Sequence, residues 1–422
     1  MALRFDDQWL DAPFARGSGT RALSVDDTWR RYAPLASRAG ITRVAELTGL
    51  DTIGIPVFAA IRPMSRSLST QQGKGATADA ARVSALMESL ETFSAEDLSM
   101  PRTIGTARSL SRSHQVVDVH ALAHASHVEG PERGHSGRRR EGRAARARAS
   151  ARSRERKPKL QDARLRWVRG FDLVAGEPIL VPEQAVTLDC TFTTPPLFDI
   201  SSNGLASGNV LVEAMLHGLC EVVERDAEAA WRREGSDRRI VLDTILDPTC
   251  RSLIDKIAAA GSRIFIWDLG SPILPVVGCA IMEDPREPSW RALGFYQGFG
   301  AHLDPDVAIA RAITEAAQTR ITYIAGGRDD FFAVDYERAT DPELLAELWE
   351  RLAAPCDEPA VVDDLRAGSP TSLGDALAMV VERLREVGIE QVIAVDLTHP
   401  RLKVPVVKMV VPGLATDVEL LG

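Results

Sequence analysis

The chain has 422 residues, 45% of them hydrophobic and 26% charged, and carries a net charge of -9. That length and balance suit a globular fold with a sizeable core, and the acidic charge excludes a basic nucleic-acid-binding face over the whole surface. No run of about 18 apolar residues offers a membrane span, the N-terminus lacks a signal-peptide layout, and the chain reads as cytoplasmic.

Residues 1–20 are polar and Gly-bearing and read as a loose arm. Residues 21–40 read as a helix capped by Asp26 or Asp27, and 41–63 as two strands. In 67–97 a Gly/Ser-rich loop, with Lys74 in a Gly-Lys-Gly turn, leads into a helix. On it Ser84, Glu88 and Glu91 fall at about 0°, 40° and -20°, one stripe. From Arg138 to Lys159 nine Arg and two Lys face two Glu, so this tract carries +9 and the remainder -18. Such a run buries no core and predicts a disordered basic insertion over 130–160; an arm for an acidic partner or for nucleic acid is the functional alternative. Strands joined by an Ala-Gly turn resume at 164–188.

The stretch 202–226 organises the chain. A Gly-rich turn feeds a helix on which Glu213, His217, Glu221 and Glu224 lie at about 0°, 40°, 80° and 20°. Three carboxylates on one stripe repel each other unless a cation or proton sits among them. The flanking residues are apolar almost all round, which suits a buried helix rather than a solvated acidic face, and Cys220 reads as a small core residue. The five cysteines, odd in number and never in C-x-x-C, indicate neither a disulfide framework nor a zinc site. Residues 238–282 read as a helix and two strands. Residues 291–331 read as a Gly-rich loop, an Asp-Pro helix start and a third charged helix. There Arg311, Glu315 and Gln318 share a stripe at about 0°, 40° and -20°, with Arg320 on the opposite side. Helices at 342–354 and 371–387 and two strands, 391–397 and 404–411, complete the chain. No repeat of fixed period stands out.

The pairs Glu88 with Glu91 and Glu221 with Glu224 match a two-cation triphosphate site, because Mg²⁺ is usually held by one or two carboxylates plus phosphate oxygens. Arg225, Arg311 and Lys74 can neutralise phosphate charge, and the Gly-rich segments 73–75 and 202–208 can bring backbone N–H groups close. Neither a Walker A motif nor a kinase loop is present, and no histidine pairs with a Ser elbow. His217 accordingly reads as part of the polar stripe rather than as a general base.

These motifs resemble the YcaO family, ATP-using enzymes that activate peptide backbone amides, over essentially the whole chain except the basic insertion. QGKGATADAARVSALMESLE resembles its S-x-x-x-E-x-x-E element through Ser84, Glu88 and Glu91. SNGLASGNVLVEAMLHGLCEVVER resembles its second element through Glu213, Glu221, Glu224 and Arg225, and RAITEAAQTR its third through Arg311, Glu315 and Gln318. Two positions depart: Ala206 stands where the family often has Ser, and His217 where it has Gln. The resemblance implies one α+β domain over 1–422, with mixed and antiparallel sheets flanked by helices around a central ATP site. It implies Mg²⁺ ligands at Glu88, Glu91, Glu221 and Glu224, and catalytic roles for Glu88, Glu224 and Arg225. Nucleotide contacts are implied from Arg21, Thr28, Lys74, Ser84, Glu213, His217, Arg225, Arg311, Glu315 and Gln318.

In that family the amide oxygen leaves as phosphate. A neighbouring Cys, Ser or Thr nucleophile then gives an azoline, and external sulfide a thioamide. The C-terminus, PGLATDVELLG, lacks the Pro-x-Pro-x-Pro tail of azoline-forming members, while ITRVAELTGLD and GGRDDF resemble the thioamide-forming branch. The resemblance therefore implies a peptide or protein substrate, a TfuA-like partner and a possible homodimer, with no membrane or nucleic acid. An azoline-forming cyclodehydratase and a non-catalytic scaffold are the alternatives.

Overall fold

The computed structural model describes residues 3–15, 21–122, 160–191, 197–198, 200–288, 290, 292–356, 358–366 and 368–415. The expected basic insertion lies, Leu160 aside, outside the described residues. The fold is α+β, and among the described residues seven helices have eight or more residues. They are α1 (Val25–Tyr32), α2 (Ala78–Glu96), α3 (Leu211–Glu234), α4 (Pro248–Ala259), α5 (Pro305–Ala325), α6 (Pro342–Ala353) and α7 (Leu373–Glu386). Local chemistry sets their starts. Asp247, Asp304 and Asp341 accept from first-turn amides, each ahead of a Pro that gives up no needed donor. Helix α1 is capped by the Ser24 hydroxyl instead of Asp26 or Asp27, and it passes at Ala33 into a 3-10 segment containing Pro34.

Two antiparallel meanders each precede a long helix. Arg43–Glu46, Val57–Ile61 and Thr70–Lys74 lead into α2, and Ser262–Asp268, Val276–Glu283 and Tyr296–Ala301 lead into α5. Gln-Gly-x-Gly closes the first of these final strands at 72–75, with Gly75 just past its end, and lies within the second at 297–300. A Cβ on Gly73 would overlap the backbone of Ala81 and Ala85, and one on Gly298 that of Ala312 and Ala316. The two strands expected to be Gly-rich loops are therefore strands whose glycines let a helix backbone lie directly on them. This β-β-β-α unit is a repeat the sequence reading missed, because its signature is four residues long.

The largest sheet orders Leu205–Ser207, Val406–Val410, Ile393–Asp396, Leu165–Asp172, Glu177–Pro182 and Gln115–Val116, with Thr103–Gly105 also paired to Leu165–Asp172. Within this sheet, among the described residues, Gln115–Val116 runs parallel to Glu177–Pro182 and the other pairings are antiparallel. Helix α3 packs across this sheet, burying Leu219, Met215 and Val223 in a cluster with Met409, Phe171 and Leu377. Cys220 belongs to the same cluster at 4% exposure. On the back of α5, Arg320 is 2% exposed and its Nε donates to Asp51 at 3.0 Å.

Of the arm expected over 1–20, residues 1–2 and 16–20 lie outside the described residues, and 3–15 are not loose. Leu3 and Leu10 enter the α3 core, Arg4–Phe5 pairs with Gln8–Trp9, and the Gly374 amide at the start of α7 donates to Asp11 at 3.2 Å. Two buried leucines anchor the segment against its polar composition. Among the described residues no helix is long and apolar enough to cross a membrane.

Candidate active site

Helices α2, α3 and α5 turn their polar stripes into one cavity of about 1730 Å³, and every site residue expected from the sequence lines it. The two meanders fix α2 and α5 on either side, and the large sheet fixes α3 between them. The juxtaposition is tertiary, since Glu88, Glu224 and Glu315 come from three separate units.

The carboxylates sit in different depths of water. Glu224 and Glu91 are buried at 2% and 9% exposure, Glu221 is half-buried, and Glu88 opens onto the cavity. Desolvation raises Glu224 to about 7, with Glu315 adding to the shift and Arg311 opposing it. Desolvation likewise raises Glu88 to about 7 against the pull of Lys74. Glu91 rises well above the ordinary range through desolvation, then the charges of Glu88 and Glu221. Glu221 rises through desolvation against Arg225 and Lys408. Glu315 departs from the pattern: desolvation is outweighed by Lys74 and Arg225, which hold its carboxyl below the ordinary value. Lys74 is in fact ion-paired with Glu315, and the Phe299 amide donates to the same carboxylate at 3.3 Å.

The cations are spread around this acidic centre. Arg311 meets His217 Nε2 at 3.3 Å and lies 4.0 Å from Glu224, while Arg225 donates to Glu228 at 3.2 Å. Burial, then Arg21 and Arg311, push His217 well below its ordinary pKa, so the ring is neutral. Its Nε2 then accepts from Arg311 and its Nδ1 carries the proton. Gln318 turns its Nε2 to the Gln72 carbonyl at 2.7 Å. Ser84 lines the wall on α2.

At the N-terminal end of α3 the polar groups already bind one another. Glu213 accepts from Arg21 at 3.2 Å, from the Ala22 amide at 3.0 Å and from the Asn209 amide at 3.3 Å. Thr28 reaches Asn209 Oδ1 at 3.2 Å. Ala206, where a Ser was expected, is fully buried in its strand, whereas the adjacent Ser207 lines the cavity, donates to the Met87 carbonyl at 3.4 Å and tempers the rise at Glu91.

Four groups escaped the sequence reading. Asn209 holds Glu213; Glu228, 1% exposed, grips both Arg225 and Arg232. Arg328 follows α5 and opposes the rise at Glu88. Lys408 is buried, and desolvation lowers it to about 8 against Glu221 and Glu91. Glu228 was legible, since continuing the α3 stripe puts it at about 60°. Lys408 was not, because it arrives on a strand nearly two hundred positions away.

The residues fit Mg²⁺ and a polyphosphate. Glu224 Oε2 and His217 Nδ1 are buried without a hydrogen-bond partner, an arrangement a ligand can satisfy. Among the described residues no three such side chains converge into a ready-made metal cage. That suits a cation that takes one or two carboxylates and completes its shell with phosphate oxygens and water.

Comparison with known proteins agrees with this geometry. Residues 72–415 match the family profile described as YcaO cyclodehydratase, ATP- and Mg²⁺-binding. The chain belongs to the YcaO family. A Rhizobium leguminosarum bv. trifolii protein from the tfuA 3′ region is 34% identical over 411 residues, covering 94% of this chain and 89% of that protein. The structure of YcaO from Methanopyrus kandleri, bound with AMPPCP and Mg²⁺, is 26% identical with a TM-score of 0.70, covering 96% of this chain and 95% of that one. A heterocyclase in complex with substrate and cofactor shares the fold at a TM-score of 0.72 and 20% identity, over 96% of this chain and 54% of its own. YcaO membership makes this an ATP- and Mg²⁺-using architecture.

Proposed function

We propose that this YcaO protein activates a peptide backbone amide by ATP-dependent O-phosphorylation and replaces its oxygen with sulfur. The observation that carries the activation step is the pair of carboxylate sets, Glu88 with Glu91 and Glu221 with Glu224, set in one cavity with Arg225, Arg311 and Lys74. Support for the thioamide outcome comes from the relative encoded beside tfuA.

The chemistry balances without an oxidant. Hydrosulfide adds to the amide carbon, and the amide oxygen takes the γ-phosphoryl group of ATP. The bond to the β-phosphate breaks with its electron pair on ADP. The carbon–oxygen bond then breaks, phosphate leaves, and the S–H proton is lost as C=S closes. Glu88, Glu91, Glu221 and Glu224 would hold Mg²⁺, which when bound would supply positive charge to neutralise the phosphates. Arg225, pinned by Glu228, and Arg311, pinned by His217, turn guanidinium donors toward the transferring group. Lys74 exchanges Glu315 for phosphate, and Arg21, Thr28, Ser84, Glu213 and Gln318 shape the nucleotide's side of the cavity. A TfuA-like partner delivers the sulfur.

Azoline formation by an internal Cys, Ser or Thr is the second reading, favoured by the cyclodehydratase description of the family. Glu88→Gln and Glu224→Gln are expected to lower peptide-dependent ADP and phosphate release at least about 100-fold, the scale of losing charge stabilisation in a transferring group. Unchanged turnover in either variant sinks the activation step. Product mass decides the branch: exchange of oxygen for sulfur in a thioamide, loss of one water in an azoline.

A further inference from the structure

The cavity is larger than a nucleotide requires. Ligand pockets typically enclose about 300–1,000 Å³, whereas this one has about 1730 Å³. Helix α3 serves as a ruler along it. Glu213 and Trp231, both on the lining, are eighteen residues apart, about 27 Å at the helical rise, and lie on the same face. Glu224 stands between them, about 16 Å from Glu213 and about 10 Å from Trp231.

The two ends differ in chemistry. Beside Glu213 the wall is polar, with Arg21, Thr28 and Asn209. Beyond Glu228 large apolar side chains join the lining, set among Arg232, Asp237 and Gln297. Phe295 packs on the Leu345–Trp349 cluster of α6, Trp231 reaches that cluster through Trp267 and Phe265, and Leu344 and Leu348 of α6 line the cavity as well. Helix α6 satisfies its core contacts with Leu345 and Trp349, 3% and 4% exposed, which pack with Met282. Leu344 and Leu348, one turn apart, remain half-buried on the cavity side.

Phosphoryl transfer requires the attacking and leaving oxygens to lie roughly in line through phosphorus. With the nucleoside at the polar Glu213 end and the γ-phosphate among the carboxylates, the attacking oxygen stands on the Trp231 side. We propose that this apolar arm, walled by Trp231, Phe295, Leu344 and Leu348, seats a bulky apolar side chain of the substrate peptide next to the amide being activated. The inference rests on the ATP-dependent reading above and adds a sequence preference to it.

The test uses the full chain with Mg²⁺ and AMPPCP, titrated by calorimetry with N-acetyl-phenylalanyl-glycine amide and with N-acetyl-diglycine amide. The native chain is expected to bind the phenylalanyl probe at least tenfold more tightly. Leu348→Asp is expected to lose that preference and Leu348→Ile to keep it, with AMPPCP titrated in parallel as the control for the fold. Equal binding of the two probes by the native chain, binding of neither, or a preference that survives Leu348→Asp overturns the proposal. Loss of AMPPCP binding in Leu348→Asp with both probes still bound overturns it as well, since the nucleotide then occupies the arm. Failure of the native chain to bind AMPPCP strikes the ATP reading instead, and the probe preference is then read without nucleotide.

Discussion

Arg21 donates to Glu213 at 3.2 Å across 192 positions, tying the segment ahead of α1 to the start of α3. Glu213 also receives the Ala22 and Asn209 amides, so it clamps the wall of the cavity before any ligand arrives. Its expected part in nucleotide binding then runs through the groups it positions.

Glu213→Ala removes the carboxylate that accepts from the Ala22 and Asn209 amides, in a site where that carboxylate is 3% exposed. A cost of about 1–3 kcal/mol in urea unfolding follows from unsatisfied buried groups. Faster hydrogen exchange at the Ala22 and Asn209 amides is expected in the same variant. Native exchange rates there rule out the clamp.

His217 offers a contrast between shape and chemistry. Because the ring is neutral and accepts from Arg311 at 3.3 Å, a side chain with a carbonyl acceptor can replace it. His217→Gln is expected to bind Mg-ATP within about threefold of the native chain, whereas His217→Leu frees Arg311 and weakens binding about tenfold, near 1.4 kcal/mol. Equal affinities for the two variants contradict the acceptor role.

The carboxylates predict a pH dependence. Glu224 is raised from 4.5 to about 7 in the folded chain, so the folded state keeps a proton that the unfolded chain releases. Its contribution to stability is full below the unfolded value and is lost as pH rises through the folded one. Glu224→Gln removes that titration. Without nucleotide, its Tm is expected to exceed the native Tm by a margin that grows from about pH 5 to about pH 8. Mg-ATP should raise the native Tm at pH 8 and leave the variant's nearly unchanged. A margin independent of pH, measured by calorimetry, refutes the assignment.

Much of the fold and site was legible because helical spacing is local. The stripes Ser84–Glu88–Glu91, Glu213–His217–Glu221–Glu224 and Arg311–Glu315–Gln318 could be read at 100° per residue without knowing what faced them, and the cavity they share gathers all of them. Glycine misled where its role was tertiary: Gly73 and Gly298 read as loop residues, yet each lies in a strand under a helix backbone. Composition misled at the N-terminus, where Leu3 and Leu10 find a buried seat that no local pattern announces.

The sequence by itself determined which faces of α2, α3 and α5 are polar and which are apolar, because side-chain direction follows from helical period alone. Only the tertiary structure decided that Lys74 rests on Glu315, that Glu228 pins Arg225 and that Lys408 lies beside Glu91 and Glu221. Those relationships depend on how two β-β-β-α units and the large sheet bring distant residues into one poorly solvated space. There desolvation and neighbouring charge, absent from any linear spacing, set each group's protonation and partner.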